Sequence, residues 1–282
     1  MAIQISNAFL TKLQMTSGNL NIFEDFTGTA AIISGSNLGG VISSFTLLAD
    51  LDASDNSSYG GTGATWTDLA GSNDGTLAAG SGTLTYSTTV GGYFDLSAGS
   101  GTKITLANSS DLQLSTSTTK AYSIWFNADA VGFMSFSRIL LCKLQGLGGS
   151  ATTDGLLMGI NSSNQLIARV SSDNGATTKY ISGTGATIST GTWYMATLVT
   201  KVSTDSDTFK LFINTTEVGS TAGGGSSLSS DTRDLIIGNY DSGVQSAMPF
   251  DGKIGEFYVH SGTFGSTEIT TLFNNTKTRF GY

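Results

Sequence analysis

From Phe45 to the C-terminus, apolar and polar residues alternate in short runs. They read "YSIWFN" (122–127), "RILLCKL" (138–144), "LLMGIN" (156–161), "LIARVS" (166–171), "WYMATLVTKV" (193–202), "FKLFIN" (209–214), "LIIGNY" (235–240) and "IGEFYVH" (254–260). A period of two sends alternate side chains to opposite faces, so each run predicts a strand with one face in a core. The pairs Asp74–Gly75, Asp154–Gly155, Asn174–Gly175 and Asp251–Gly252 punctuate them and supply the positive-φ residues of tight turns. Pro249 is the sole proline, so strands are rarely interrupted. Many short strands between Gly- and Asp-rich turns predict an all-β fold, a two-sheet antiparallel jelly-roll sandwich.

Both ends depart from that pattern. Ile5, Phe9, Leu10 and Leu13 fall at helical spacing, with Ser6 placed to cap a helix and Gly18 to stop it. "NLNIFEDF" and "TAAIISG" then read as two short strands, and "GSNLGG" (35–40) as a flexible joint. Residues 1–44 thus form a small anchoring or oligomerisation segment with a linker, and 45–282 the sandwich. Extra strands on the sandwich are the alternative for 1–44. At the other end Ser266 can cap a helix, Glu268 sits where the helix dipole favours an anion, and Ile269, Leu272 and Phe273 make one apolar stripe. A helix of about ten residues is marginal alone, so it is expected to lie on the sandwich through that stripe.

Charge and composition narrow the setting. Charged residues are 12% of the chain, against about 25% in an average domain. Solubility therefore rests on Ser, Thr, Asn and Gly. The net charge is −8 and no Lys/Arg run exists, which excludes the basic face that nucleic-acid binding needs. The start lacks the basic and apolar regions of a signal peptide, and no apolar run approaches the ~20 residues of a membrane-spanning helix. Cys142 is the single cysteine, so no internal disulfide is expected. A surface suited to the outside of a cell, on a chain suited to folding in the cytoplasm, fits a virion assembled in the host cytoplasm and released by lysis.

Particular segments carry a family likeness. "LLADLDASDNSSYGGTGATWTDLAGSNDGTL" (47–77) followed by "YFDL" (93–96) resembles the opening segment of laminin-G-like, concanavalin A-like domains. "YSIWFNAD" (122–129) resembles their central strand and "TGTWYMATLVTKVSTDSDTFKLFIN" (190–214) the next hairpin. "FDGKIGEFYVHSGTFGSTEITTLF" (250–273) resembles the closing strand and short helix. The likeness covers roughly 45–282, and the spacing Y-x-G-x-G-x-x-W-x-D-L is similar to versions in tailed-phage virion proteins. It implies a jelly roll and no single activity, since this fold carries lectins, glucanases and inert structural modules.

Candidate chemistry is sparse. Glucanases of this fold set paired carboxylates on one strand as Glu-x-Asp-x-(x)-Glu, and the four glutamates here, Glu24, Glu217, Glu256 and Glu268, do not. His260 is the only histidine, expected at the surface, and Cys142 lies in an apolar strand as a buried thiol. Neither has a partner in the sequence for nucleophilic catalysis, so no catalytic residue is assigned. Laminin-G-like domains often hold a Ca²⁺, and Asp52, Asp55, Asp74 and Asp95 are oxygens of the right kind without a ligand spacing. Sugar sites pair an exposed aromatic with Asn or Asp. Tyr59, Trp66, Tyr240 and Asp241 are the candidates, with Trp66 also suited to packing inside.

These readings converge on a noncatalytic structural protein of a tailed-phage virion surface. The first expectation is a capsid decoration protein, homo-oligomeric, anchored on the major capsid protein or other virion proteins through Ile5, Phe9, Leu10 and Leu13. The alternative is a host-glycan-binding adhesin module of a tail fibre or spike. A polysaccharide hydrolase is the third.

Overall fold

The computed structural model describes residues 45–132, 138–144, 154–173, 176–202, 208–222, 227–228, 233–240 and 248–282. Before residue 45 it describes the backbone of three strands, β1 (Lys12–Thr16), β2 (Asn19–Phe23) and β3 (Thr29–Ala30). The predicted sandwich is present as two antiparallel sheets.

The front sheet runs in the order β17 (Thr216–Ala222), β16 (Thr208–Ile213), β15 (Trp193–Thr200), β10 (Lys120–Ala128), β19 (Gly252–Gly262), β4 (Phe45–Asp52), β3. Past the end of β4, β8 (Tyr93–Leu96) takes its place on β19, and β7 (Leu84–Ser87) pairs with β8. The back sheet runs β14 (Thr177–Thr187), β13 (Gln165–Ser172), β12 (Gly155–Ile160), β11 (Arg138–Cys142), β18 (Leu235–Ile237), β9 (Lys103–Leu106), β6 (Gly75–Ala78), β5 (Thr65–Trp66). Alternate residues of both sheets meet between them: Leu51, Phe94, Ile124, Phe126 and Phe257 from the front, Ile104, Leu141, Met158 and Val170 from the back.

Strand β10 is buried along its whole length. Its inward residues Tyr122, Ile124 and Phe126 join the main core, while Ala121 and Trp125 point the other way into a second apolar cluster. That cluster is closed by helix α1 (Ser266–Thr276) through Ile269, Leu272 and Phe273, the stripe read from the sequence. Glu268 accepts a hydrogen bond from the Gly265 amide at 2.8 Å, closing the first turn. The cap position belongs to Gly265, and Ser266 is the first helical residue.

Other expectations need correction. Leu13 lies in a strand, not a helix: Lys12–Thr16 alternates apolar and polar, and its Leu13 and Met15 pair with Ile22 and Leu20 in a hairpin. Ile5, Phe9 and Leu10 lie outside the described residues. The hairpin forms a sheet of its own, whereas Thr29–Ala30 extends the front sheet beside Phe45 and Thr46. Gly155 and Gly252 take positive φ as expected, but Gly75 does not. It opens β6 because a Cβ there would stand 2.9 Å from Ile104 Cγ2. Asn174–Gly175 lies outside the described residues. Among the described residues no helix is long and apolar enough to cross a membrane.

Candidate functional site

The aromatic residues chosen for sugar stacking are placed in the interior. Trp66 is fully buried, its ring edge-on to Phe94 at 4.9 Å. Tyr59 is 6% exposed, packed edge-on to Tyr86 and Phe94 at 4.8 Å each, with its hydroxyl donating to the Gly63 carbonyl. Tyr240 is buried with Ile139, Cys142, Leu157 and Met248 on the outer side of the back sheet. A ring with both faces covered cannot take a sugar, so these three are packing residues. Asp241 lies outside the described residues.

Around Trp66 the loop before β6 is held by one carboxylate. Asp68 is 5% exposed and accepts from the amides of Asp50, Ala70 and Asn73 and from the Asn73 side chain, at 2.8–3.1 Å. Asn73 passes the bonding on, donating to the Leu48 carbonyl and accepting from Ser109 Oγ. Asp74 accepts from the Asp68 amide. The W-x-D-L and N-D-G of the sequence are therefore a scaffold that pins the loop to β4.

The calcium candidates do not converge. Asp52 is bonded to Ser54 and Arg279, Asp55 to the Ser57 amide, and Asp74 to Asp68. Asp95 lies beside Lys253, with burial raising its pKa. Among the described residues no group of three or more His, Cys, Asp or Glu is placed to hold a metal ion. Cys142 is buried, as read. His260 is not at the surface: it is 4% exposed, stacked on Phe264 at 4.5 Å and edge-on to Phe45 at 5.2 Å. Burial lowers its pKa to about 3, and its Nδ1 lacks a hydrogen-bond partner.

One place does bring carboxylates together, and the sequence reading missed it. On the outer face of the front sheet, Glu256 pairs across strands with Asp52 on one side and Trp125 on the other, and Tyr258 with Asp50. Arg279, just beyond α1, lays one guanidinium nitrogen on both acids: Nη1 is 2.5 Å from Asp52 Oδ1 and 2.6 Å from Glu256 Oε1. The same nitrogen reaches Ser54 Oγ, and Nη2 donates to the Gly255 carbonyl at 3.2 Å. Burial pushes Glu256 up to about 8 against the opposing pull of Arg279, and Asp50, buried beside Asp52 and Asp68, to about 7. Three acids face one guanidinium, so the site keeps a proton near neutrality on Glu256.

Two acids this close are what a retaining glycosidase needs. Here both are bound to one guanidinium, and the glutamate is buried. Glu256 is 2% exposed, and Phe280 stacks on Trp125 at 4.2 Å with Phe273 behind it at 5.5 Å. Trp125 Nε1 donates to Thr276 Oγ1, and the Tyr282 hydroxyl to the Trp193 carbonyl. The arrangement clasps the C-terminal tail to the sheet and buries Glu256 beneath it, with Asp52 and Arg279 partly exposed at its edge. A glutamate facing outward in the apolar run "IGEFYVH", and an arginine set between tail aromatics, were the only sequence signals for it.

Similar solved structures share the architecture. The binding domain of Paraclostridial Mosquitocidal Protein 1 aligns with a TM-score of 0.60 at 13% identity, over 82% of this chain and 52% of that one. Domain 4 of AbnA, a GH43 extracellular arabinanase from Geobacillus stearothermophilus solved with arabinotriose, aligns at 0.55 and 17% identity, over 81% of this chain and 98% of that one. The binding domain of botulinum neurotoxin DC in complex with SialylT aligns at 0.57 and 14%, over 82% and 52%. The chain thus spans about half the length of the toxin binding domains. At these identities the likeness shows the fold. No curated protein matches the chain by sequence. Residues 97–270, more than half of the chain, match the laminin-G-type family of the concanavalin A-like lectin/glucanases superfamily, and the chain belongs to that family.

Proposed function

We propose that this protein is a noncatalytic carbohydrate-binding module displayed on the surface of a tailed-phage virion. The observation that carries the noncatalytic part is the clasp: the acids that stand together on the front sheet, Asp52 and Glu256, are bound to Arg279 beneath the tail. The carbohydrate part is supported by neighbours of the same fold solved with arabinotriose and with SialylT. The virion part rests on the sequence: a weakly charged, Ser/Thr-rich surface, one cysteine and the likeness of residues 45–282 to phage proteins. Purified protein is expected to bind defined oligosaccharides on an array and to release no reducing ends from them. Reducing-end release that disappears in Glu256→Gln would overturn the noncatalytic reading.

A capsid-decoration role is a second reading, favoured by one observation. The Lys12–Thr16 and Asn19–Phe23 hairpin is a sheet separate from the sandwich, as an attachment element for a capsid would be. Mass spectrometry of purified particles separates the two. Hundreds of copies beside the major capsid protein support decoration; a handful to a few dozen support an adhesin on the tail.

A further inference from the structure

Among the described residues, Val90, Tyr180 and Tyr282 are the large apolar side chains left exposed. One exposed side chain defines no ligand by itself. A polar row on the front sheet carries more. Lys253 on β19 pairs with Asp95 on β8 and with Asn127 on β10. Thr85 on β7 extends the row past Asp95, and Trp193 on β15 ends it beyond Asn127. The adjoining residues Phe94, Ile254 and Phe126 point into the main core, so alternation turns Asp95, Lys253 and Asn127 to the outer face. The tail covers the next step of that face, where Phe280 packs on Gly255. The row itself is open. Thr85 is exposed, and Tyr93 and Asp95 are half-buried. Lys253 and Asp129, joined at 2.5 Å, keep 21% and 41% of their side chains in solvent.

Asn127 forms the floor of this strip. It is 5% exposed, and its Oδ1 has no hydrogen-bond partner. Buried side-chain carbonyls are nearly always bonded, so an acceptor left over among charged groups calls for a donor that the chain does not supply. Lys253 is its neighbour on that face, and the pair Lys253 makes with Asp129 is a surface ion pair, a kind that contributes little. Turning the lysine aside is therefore cheap and uncovers the amide. Tyr93, two residues before Asp95 on the same face, adds an aromatic ring. It is held by a hydrogen bond from Thr89 Oγ1 at 3.2 Å and by the edge of Trp193 at 5.9 Å.

We propose that this strip is the carbohydrate subsite: neighbouring hydroxyls of a neutral hexopyranose donate to Asp95 and to Asn127 Oδ1, Lys253 turns from Asp129 to donate to a sugar oxygen, and the C–H face of the ring lies towards Tyr93. The inference rests on the carbohydrate reading above and names its site. The ligand class follows from the chemistry. Sugar hydroxyls both donate and accept, which matches two acceptors flanking an ammonium, beside an aromatic ring that takes apolar C–H groups. A bare divalent cation fits poorly, because Lys253 stands between the acceptors as a like charge. Two carboxylates to one ammonium also disfavour an acidic sugar.

The test uses the full chain on an array of neutral and sialylated oligosaccharides, then isothermal titration with the tightest neutral binder. Asp95→Ala and Lys253→Met are each expected to weaken binding about tenfold or more. Asn127→Leu keeps the size of the side chain and removes an acceptor the fold leaves unpaired. It should therefore weaken binding while the melting temperature holds or rises, an outcome that a purely structural Asn127 would not give. Full affinity in all three variants would sink the subsite and leave the carbohydrate reading standing. Ca²⁺ binding without sugar that disappears in Asp95→Ala would make the strip a cation site and overturn the sugar assignment. Failure of the unmodified protein to bind any oligosaccharide overturns both readings.

Discussion

Replacing Arg279 with methionine keeps much of the side chain's length and removes the guanidinium. Two acids then lose their shared partner, Glu256 with a side chain 3% exposed and Asp52 with one 22% exposed. Breaking a buried ion pair from one side costs about 3–5 kcal/mol, and the partial exposure of Asp52 and Arg279, with Glu256 protonated near neutrality, argues for less. Acidity modulates that cost. The folded pKa of Glu256, about 8, lies above its unfolded value near 4.3, so its protonated form favours folding. That contribution is complete below about pH 4 and is lost as pH rises through 8. Without Arg279 the folded pKa climbs further and the loss steepens. At pH 5.5 Glu256 is neutral in both proteins, and the variant gives up mainly hydrogen bonds, about 1 kcal/mol. By pH 8.5 the ionisation of Glu256 adds at most about 0.8 kcal/mol, so the deficit should reach about 2 kcal/mol, or roughly 4–8 °C in melting temperature at 2–4 °C per kcal/mol. Urea denaturation at both pH values measures it, with Glu256→Gln in the Arg279→Met background removing most of the pH dependence. A deficit that is equal at the two pH values, or smaller at the higher one, would refute the clasp.

Three further outcomes are expected. Gly75→Ala drives a methyl against Ile104 and Leu51 and should destabilise by about 1–3 kcal/mol in urea melts. Asp68→Ala strips the loop before β6 of its acceptor and strands the Asn73 side chain, so about 3 kcal/mol is lost and limited proteolysis opens the chain near residues 54–74. His260 has a folded pKa near 3, below its unfolded 6.5, so folding weakens as pH falls below 6.5, by up to about 1.4 kcal/mol per pH unit. His260→Phe should flatten that acid limb relative to the unmodified protein when the two are compared between pH 6.5 and 4.

The strands legible in the sequence are those dense in apolar residues, and they are buried at most or all positions. "YSIWFN", "LLMGIN" and "LIARVS" became β10, β12 and β13 within two residues, since a short apolar run bounded by turn residues encodes a buried strand. Strand β14, "TTKYISGTGAT", went unseen because an edge strand with mixed burial need not alternate. Burial, not residue type, decides whether an aromatic can meet a ligand. The runs around Trp66 and Tyr240 are as rich in loop residues as those around Tyr180. The carboxylate clasp was illegible for a different reason: Asp52, Glu256 and Arg279 come from three distant parts of the chain and meet only through register and the path of the tail. Leu13 was misread as helical because it fits both periods, and only pairing with Ile22 settles which one holds there.

Which surfaces remain for a ligand follows from how the faces are used. The C-terminal helix and tail cover Trp125, Trp193 and Glu256, removing that part of the front sheet's outer face from any binding role. Residues 29–30 join the front sheet beside β4, at one edge, so the chain comes in from 1–44 there. Tyr180 lies on β14, which packs against β17 at the other edge. Five strand spacings separate β4 from β17, about 24 Å at ~4.8 Å each. If 1–44 is an anchor, as proposed, attachment beside β4 would leave the β14–β17 edge as the far side of the sandwich.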